Sequence, residues 1–354
     1  MEVCLLSFEY SGIGGIARWE KDLKWGFEQI GVEVDHIEDI NKESYDSLPD
    51  HDYYILNQPC PWKDRKLSDE EQDRWWLNIY DEIKDSVVVA AFHDPYWERY
   101  YDWANEALPM DVAIAVQDIV RESLTSFTAA PVGMIRHPLR HDRGELIHDK
   151  EDIIMSACMF KGWKNVDHFI HEVPFMDLES HVHGKGIEYH YMSGSMEKRK
   201  SQYRDEETYE WIWDRAEDSG KMTYKGFTEL EELWETYRSA RFAVDFSHSK
   251  NWEGVINYTQ LEPMIYGAIP IVYQDTVNKF IEDQVFTVHS HEDLPELVNN
   301  IENEKLDGMR EDNYNWVIEN FGADNIAQEY VDLFKEVEEG TYEGFKRQST
   351  FDSF

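Results

Sequence analysis

Cysteine is scarce in this chain: Cys4, Cys60 and Cys158 are the only three in 354 residues. They lie far apart and form no Cys-x-x-Cys pair, which speaks against a disulfide-built scaffold and reads as buried thiols in a reducing cytoplasm. Long apolar runs are missing as well; none approaches the roughly 20 residues that cross a bilayer. The chain opens on the strand-like Val3-Cys-Leu-Leu-Ser-Phe8 with no charged-then-apolar leader, so secretion is not expected. Positive charge is the largest deficit. Thirty-four Lys and Arg face 73 Asp and Glu, a net charge of −39. Such a chain repels nucleic acid at long range and binds it only where cations gather on one face. Dense carboxylates also suit saline surroundings, where they keep a protein soluble.

What is present is a globular chain, 42% hydrophobic and 14% aromatic, long enough for two domains. Strand-like runs at 3–8, 32–37, 53–57, 87–92, 112–116 and 131–135 alternate with helical stretches near 16–30, 69–84, 97–108 and 119–126. That rhythm predicts a parallel sheet covered on both faces, a Rossmann-like domain. After the polar run His137–Lys150 it restarts, with strands near 152–157, 188–192, 222–224, 242–245 and 269–273. Helices are expected near 166–175, 206–216, 230–240 and 258–266, then through most of 292–337. The expected fold is α/β, with Rossmann-like domains over 1–145 and 146–325 facing each other across a cleft. A C-terminal helix and tail (326–354) packs back on the first, fraying after Gly340.

Four stretches carry polar groups where ligands of such a fold collect. Ser11-Gly12-Ile-Gly14-Gly15 follows the first strand and opens a helix; it is either a tight turn or a place where backbone approaches a ligand. Phe92-His93-Asp94-Pro95 ends the fourth strand, where Asp94 can cap a helix beginning at Pro95 or point a carboxylate at a substrate hydroxyl. Met159-Phe-Lys161-Gly162-Trp163 follows the first strand of the second domain and offers a cation. Asn257-Tyr-Thr-Gln-Leu-Glu262-Pro-Met-Ile-Tyr-Gly267 reads as a short helix, a left-handed glycine and then the strand Ile269–Tyr273. Thr259 and Glu262 have capping-box spacing, and the amides near Tyr258 and Thr259 can receive an anionic oxygen.

Taken together, these stretches resemble the retaining GT-B glycosyltransferases, and within them the DNA-modifying α-glucosyltransferases of T-even bacteriophages. The likeness rests on Tyr258-Thr-Gln-Leu-Glu262, Gly267-Ala-Ile-Pro270, Asn278-Lys-Phe280, the His93-Asp94 pair, Lys161-Gly162-Trp163 and the glycine loop. It implies a UDP-sugar donor, with Glu262 on the ribose hydroxyls and the turn at Tyr258 and Thr259 facing the diphosphate. Gly14 and Gly15 would lie beside the donor, and Lys161 would neutralise the leaving UDP. His93 and Asp94 would face the sugar and the acceptor hydroxyl. Glu253 stands near the donor sugar in this reading, although an exposed loop glutamate is the plain alternative. One departure is visible: the arginine usual five residues before the lysine is Ser156 here, with Arg199 and Arg204 as substitutes.

The resemblance further implies retention at the anomeric carbon, an acceptor of 5-hydroxymethylated pyrimidine in phage DNA, and protection against host nucleases. A monomer in the host cytoplasm is expected, with no membrane contact and no obligatory cofactor; a divalent cation is permitted but not required. The only footing for DNA phosphates is Lys63, Arg65 and Lys66, then Arg136, Arg140 and Arg143, and Lys198-Arg199-Lys200, with Trp62, Trp97, Tyr100 and Tyr101 able to stack on a base. Ordinary surface salt bridges would account for these cations equally. Against the DNA reading, −39 favours a cell-surface polysaccharide or lipid-linked glycan as acceptor. A nucleotide-sugar-binding protein without turnover is the third reading. The alternating pairs His181-Val-His183 and His289-Ser-His291 have no nearby carboxylate or cysteine to complete a ligand set, so no metal is expected.

Overall fold

A computed structural model describes residues 1–7, 15–38, 48–57, 79, 81–93, 110–158, 160, 164–184, 206–247 and 254–345. Contacts divide the chain into two compact units, Met1–His141 with Glu319–Phe354, and Asp142–Ile318. The divisions fall a few residues before the expected 145/146 and 325/326 borders, for a local reason. Leu139 and Phe321 are joined by a backbone bond of 2.6 Å, and Ala323 returns one to Leu139 at 3.0 Å, keeping both segments in the first unit. The next residues belong to the second: Arg238 donates to Arg143 O at 3.3 Å and Arg310 to His148 O at 3.4 Å.

The first unit is built on β1 (Glu2–Ser7), β2 (Glu33–Ile37), β3 (Tyr53–Asn57), β4 (Val87–Phe92), β5 (Val112–Ala115) and β6 (Val132–Met134). They form one parallel sheet in the order β2-β1-β3-β4-β5-β6. β1, β3, β4 and β5 are almost continuously buried, as strands covered on both faces must be. Helix α1 (Gly15–Gln29) follows β1, and α2 (Asp118–Phe127) joins β5 to β6. The last helix among the described residues, α9 (Ala323–Glu338), lies against α1: a Cβ on Gly26 would stand 2.0 Å from Ala323 O. Only glycine allows that approach. The tail expected to fray is seated as far as Phe345, whose amide donates to Val132 O at 2.7 Å. β6 is an edge strand with backbone groups to satisfy, and the tail meets them.

The second unit has β7 (Ile153–Ala157), β8 (Glu179–His183), β9 (Met222–Gly226), β10 (Phe242–Asp245), β11 (Ile269–Tyr273) and β12 (Phe286–Val288). Their order is β12-β11-β10-β7-β8-β9, all parallel. Between them run α3 (Val166–Glu172), α4 (Glu206–Asp218), α5 (Leu230–Ser239) and the short α6 (Tyr258–Leu261) with a 3-10 turn over Glu262–Tyr266. Helices α7 (Leu294–Asn300) and α8 (Asp307–Phe321) precede α9. The strand expected at 188–192 lies outside the described residues, and Glu179–His183 holds a place beside β7. Gly267 is left-handed as expected, at φ 78°, and Ile147 O would sit 2.7 Å from a Cβ there.

Candidate active site

In an open parallel sheet, ligands collect beyond the carboxyl ends of the strands where the winding reverses. In the second unit that point lies between β7 and β10, since β7 leads to β8 and β9 on one side while β10 to β12 fill the other. Asp245, the last residue of β10, stands there, buried. Its carboxylate accepts from the amide of Ser247 at 3.1 Å and from the Ser247 hydroxyl. Asn257 Nδ2 donates to it at 3.0 Å, Thr259 Oγ1 at 2.8 Å and Gln260 Nε2 at 3.1 Å. Burial pushes this carboxyl up, but the charge of Lys164 and the bonds from Ser247 and Thr259 outweigh it and hold it below the usual range. Asp245 thereby ties the β10 end to the start of α6.

That geometry corrects the capping reading of Glu262. The helix begins at Tyr258, so Asn257 is its N-cap and Gln260 occupies the third position, its Oε1 accepting from Asn257 N at 3.3 Å. Thr259 instead spends its hydroxyl on Asp245. Glu262 starts the 3-10 turn, buried to 4% exposure, and has no part in the N-terminal cap. Gln260 N donates to Asn257 O at 2.9 Å and closes the first turn behind Tyr258 and Thr259. Replacing Asp245 with asparagine keeps the shape but turns an amide toward these donors. The expected loss is about 2–3 kcal/mol of stability, read as a lower urea midpoint; an unchanged midpoint would mean the donors find other partners.

Ser156 is buried within β7 and donates to Val244 O of β10 at 3.2 Å, so it stitches the two central strands. Lys164 is the described cation at this strand edge, and its charge acts on both Asp245 and Cys158. Sequence reading passed over it for Lys161. The adjoining Asn165, held left-handed at φ 46° and donating to Phe246 O at 2.9 Å, fixes the entry to α3.

The reversal point of the first unit lies between β1 and β3, whose ends Ser7 and Asn57 are register partners. Asn57 Nδ2 donates to Glu20 of α1, and its Oδ1 therefore accepts from His93 Nε2 at 2.7 Å. His93, the residue after β4, is fixed in the Nε2-protonated neutral tautomer with Nδ1 as its acceptor nitrogen. Burial, and then the charge of His137, keep it far below the ordinary imidazole range. Trp19 stands edge-on to its ring at 5.1 Å, and the His137 ring lies 5.9 Å away. Glu20 is also 3.3 Å from His36 Nε2. Glu20, Asn57 and His137 escaped the sequence reading. A polar residue on the buried stripe Ala17–Leu23–Phe27 of α1 and another ending an apolar strand were the available signals.

Of the remaining sequence candidates, Gly15 opens α1. Arg136 is half-buried, its guanidinium lowered by burial and raised by Asp118 and Glu329. Arg140 lies over the Trp25 ring at 5.3 Å, and its amide donates to Asp22 at 3.1 Å. Gly14, Trp62, Lys63, Arg65, Lys66, Asp94, Trp97, Tyr100, Tyr101, Lys161, Lys198, Arg199, Lys200 and Glu253 lie outside the described residues. The histidine pairs do have carboxylate neighbours that their spacing did not suggest: Glu179 Oε1 stands 2.8 Å from His181 Nε2. Glu172, from α3, brings a carboxylate within reach of His291.

No family model and no curated protein sequence matches the chain. Solved structures do. A T4 α-glucosyltransferase in complex with UDP and a 13-mer DNA containing a HMU base superposes with a TM-score of 0.70. It is 15% identical, over 95% of this chain and 99% of its own. HepE of Anabaena, in complex with UDP-glucose, gives 0.62 at 11% identity, over 95% of this chain and 100% of its own. TarM of S. aureus, in complex with Fondaparinux, α-GlcNAc-glycerol and UDP, gives 0.53 at 14% identity, over 79% of this chain and 55% of its own. Two six-stranded parallel sheets, matched along nearly the whole chain, give this protein the two-domain GT-B fold.

Proposed function

We propose that the protein is a retaining glycosyltransferase that moves a hexose, glucose in the first instance, from a UDP-sugar to the hydroxyl of a 5-hydroxymethylated pyrimidine in DNA. The observation that carries this reading is the end-to-end likeness to the α-glucosyltransferase solved with UDP and modified DNA. The local chemistry agrees with it. The turn at Tyr258 and Thr259 suits a diphosphate oxygen, and the buried carboxylate of Glu262, four residues after Tyr258, suits two ribose hydroxyls. Asp245 would compete with a phosphate there if it were bare, but its donors and Lys164 offset its charge.

In this reading Lys161, with Lys164 or Arg199 in place of the arginine absent at Ser156, stabilises the departing UDP as charge develops. The acceptor hydroxyl attacks on the face UDP leaves, and the phosphate oxygen of the leaving group takes its proton. Asp94 orients the hydroxyl and His93 the sugar, His93 accepting at Nδ1 because Asn57 holds its other nitrogen. Neutral His93 contributes a hydrogen bond without a charge. No dedicated nucleophile is required.

A glycan acceptor is the second reading, and −39 favours it. Arg136 and Arg140 point the same way, because Asp118, Glu329 and Asp22 already answer their charge. The test is incubation with UDP-sugars and, in separate arms, hydroxymethylated duplex DNA, plain duplex DNA or a polysaccharide, read as UDP release and acceptor mass. Release confined to modified DNA supports the proposal; release with a glycan alone supports the second reading; UDP binding without release supports a non-catalytic protein. Glu262→Ala is expected to weaken UDP binding by about 10–100-fold in a chain that stays folded, measured by calorimetry. Unfolding instead would return Glu262 to a structural role.

A further inference from the structure

Three histidines and two carboxylates gather in the second unit where α3 meets the 3-10 turn His291–Asp293 that follows β12. His171 Nδ1 stands 2.6 Å from Glu172 Oε1, and His291 Nε2 approaches the same oxygen at 3.6 Å. One donor atom from each of these three residues lies within 4.8 Å of the others, the one such grouping among the described residues. Glu172 is 3% exposed. A buried carboxylate is costly without a cation or full hydrogen bonding, and 3.6 Å is too long for a hydrogen bond from His291.

Two ligands at about 2.0–2.2 Å on a tetrahedral metal stand roughly 3.3 Å apart, close to the 3.6 Å between Glu172 and His291, whereas the 2.6 Å between His171 and Glu172 is a hydrogen bond that an ion would have to open. His168 fixes the ring of His291: it stacks on it at 4.5 Å and 21°, and its own Nδ1 is held 2.6 Å from the Tyr273 hydroxyl. Asp167, buried beside His168 at 3.7 Å, adds negative charge to the surroundings.

We infer that His171, Glu172 and His291 form a site for a divalent transition metal of the zinc class, clamping α3 to the turn after β12. Two imidazoles and one carboxylate suit zinc, cobalt or nickel rather than calcium or magnesium. The metal displaces the proton His171 shares with Glu172 and leaves a fourth position for water. The inference does not rest on the proposed glycosyl transfer.

The test uses the full chain stripped with a chelator and titrated with Zn²⁺ and Co²⁺ against a chromophoric competitor. One ion per chain is expected, bound at least tenfold more weakly by His291→Ala and by Glu172→Gln, each with an unchanged circular dichroism spectrum. X-ray absorption of the wild-type complex should show a nitrogen and oxygen shell without sulfur, and this reading stands even if a variant misfolds. Affinity weaker than roughly 100 µM, binding indifferent to both substitutions, or a sulfur shell from the cysteines would each overturn the site.

Discussion

Arg310→Met should lower stability by about 3–5 kcal/mol. Arg310 is fully buried in α8 although it carries a charge. Its Nε donates to Gly267 O at 3.1 Å, one terminal nitrogen to His148 O, Asn303 O and Asp307 Oδ1, and the other to Asn303 Oδ1. Methionine fills similar volume and supplies no donor, so carbonyls from three separate segments lose a partner together. The salt bridge to Asp307 is the smaller part, because that carboxylate is 47% exposed and water can replace the guanidinium there. Gly267 ends the turn that carries Glu262, so a looser Gly267 carbonyl also loosens the candidate donor site. Urea unfolding followed by tryptophan fluorescence would measure the change as a shift in midpoint at constant slope. A shift of less than about 1 kcal/mol would mean the carbonyls are satisfied without Arg310.

Arg310 also shows where the sequence stops being informative. In its window it is an ordinary arginine three residues after an aspartate, as on any exposed helix face. Its burial follows from Gly267 and His148, which lie far away in the chain. The same holds for the first unit's network, where Glu20, Asn57 and His93 come from three elements. By contrast, β3, β4, β10 and β11 match their expected limits, because a short apolar run bounded by polar residues has few other uses. β8 was missed because Glu179-Ser-His-Val-His183 reads as a polar stretch, and only its place beside β7 buries it. β12 is three residues long and gives no period to read. Around the candidate site, the strand ends and Gly267 were legible. The capping partner was not, since choosing Gln260 over Glu262 depends on a one-residue difference in where the helix begins.

Acidification from pH 6.5 to pH 4 should cost the wild-type chain about 3 kcal/mol more than it costs a His137→Gln variant. His137 is buried, and burial alone pushes its pKa from 6.5 down to about 4. The unfolded chain takes up a proton on this imidazole as pH falls through 6.5, whereas the folded chain resists until about 4. Across that window the unfolded state binds more protons, so stability falls as pH falls, and the His137 contribution levels off below it. The hydrogen bond is not the cause. Gln117 Nε2 meets His137 Nε2 at 3.2 Å, and its amide can turn over to accept from a protonated ring. What cannot be recovered is hydration, and a second positive ring would also stand 5.9 Å away if His93 were charged. Glutamine at 137 keeps a partner for Gln117 without a titrating group. Denaturant midpoints for both proteins across this range therefore isolate the term, because every other histidine and carboxylate is common to the two. Parallel curves would show that water reaches the His137 ring in the folded state.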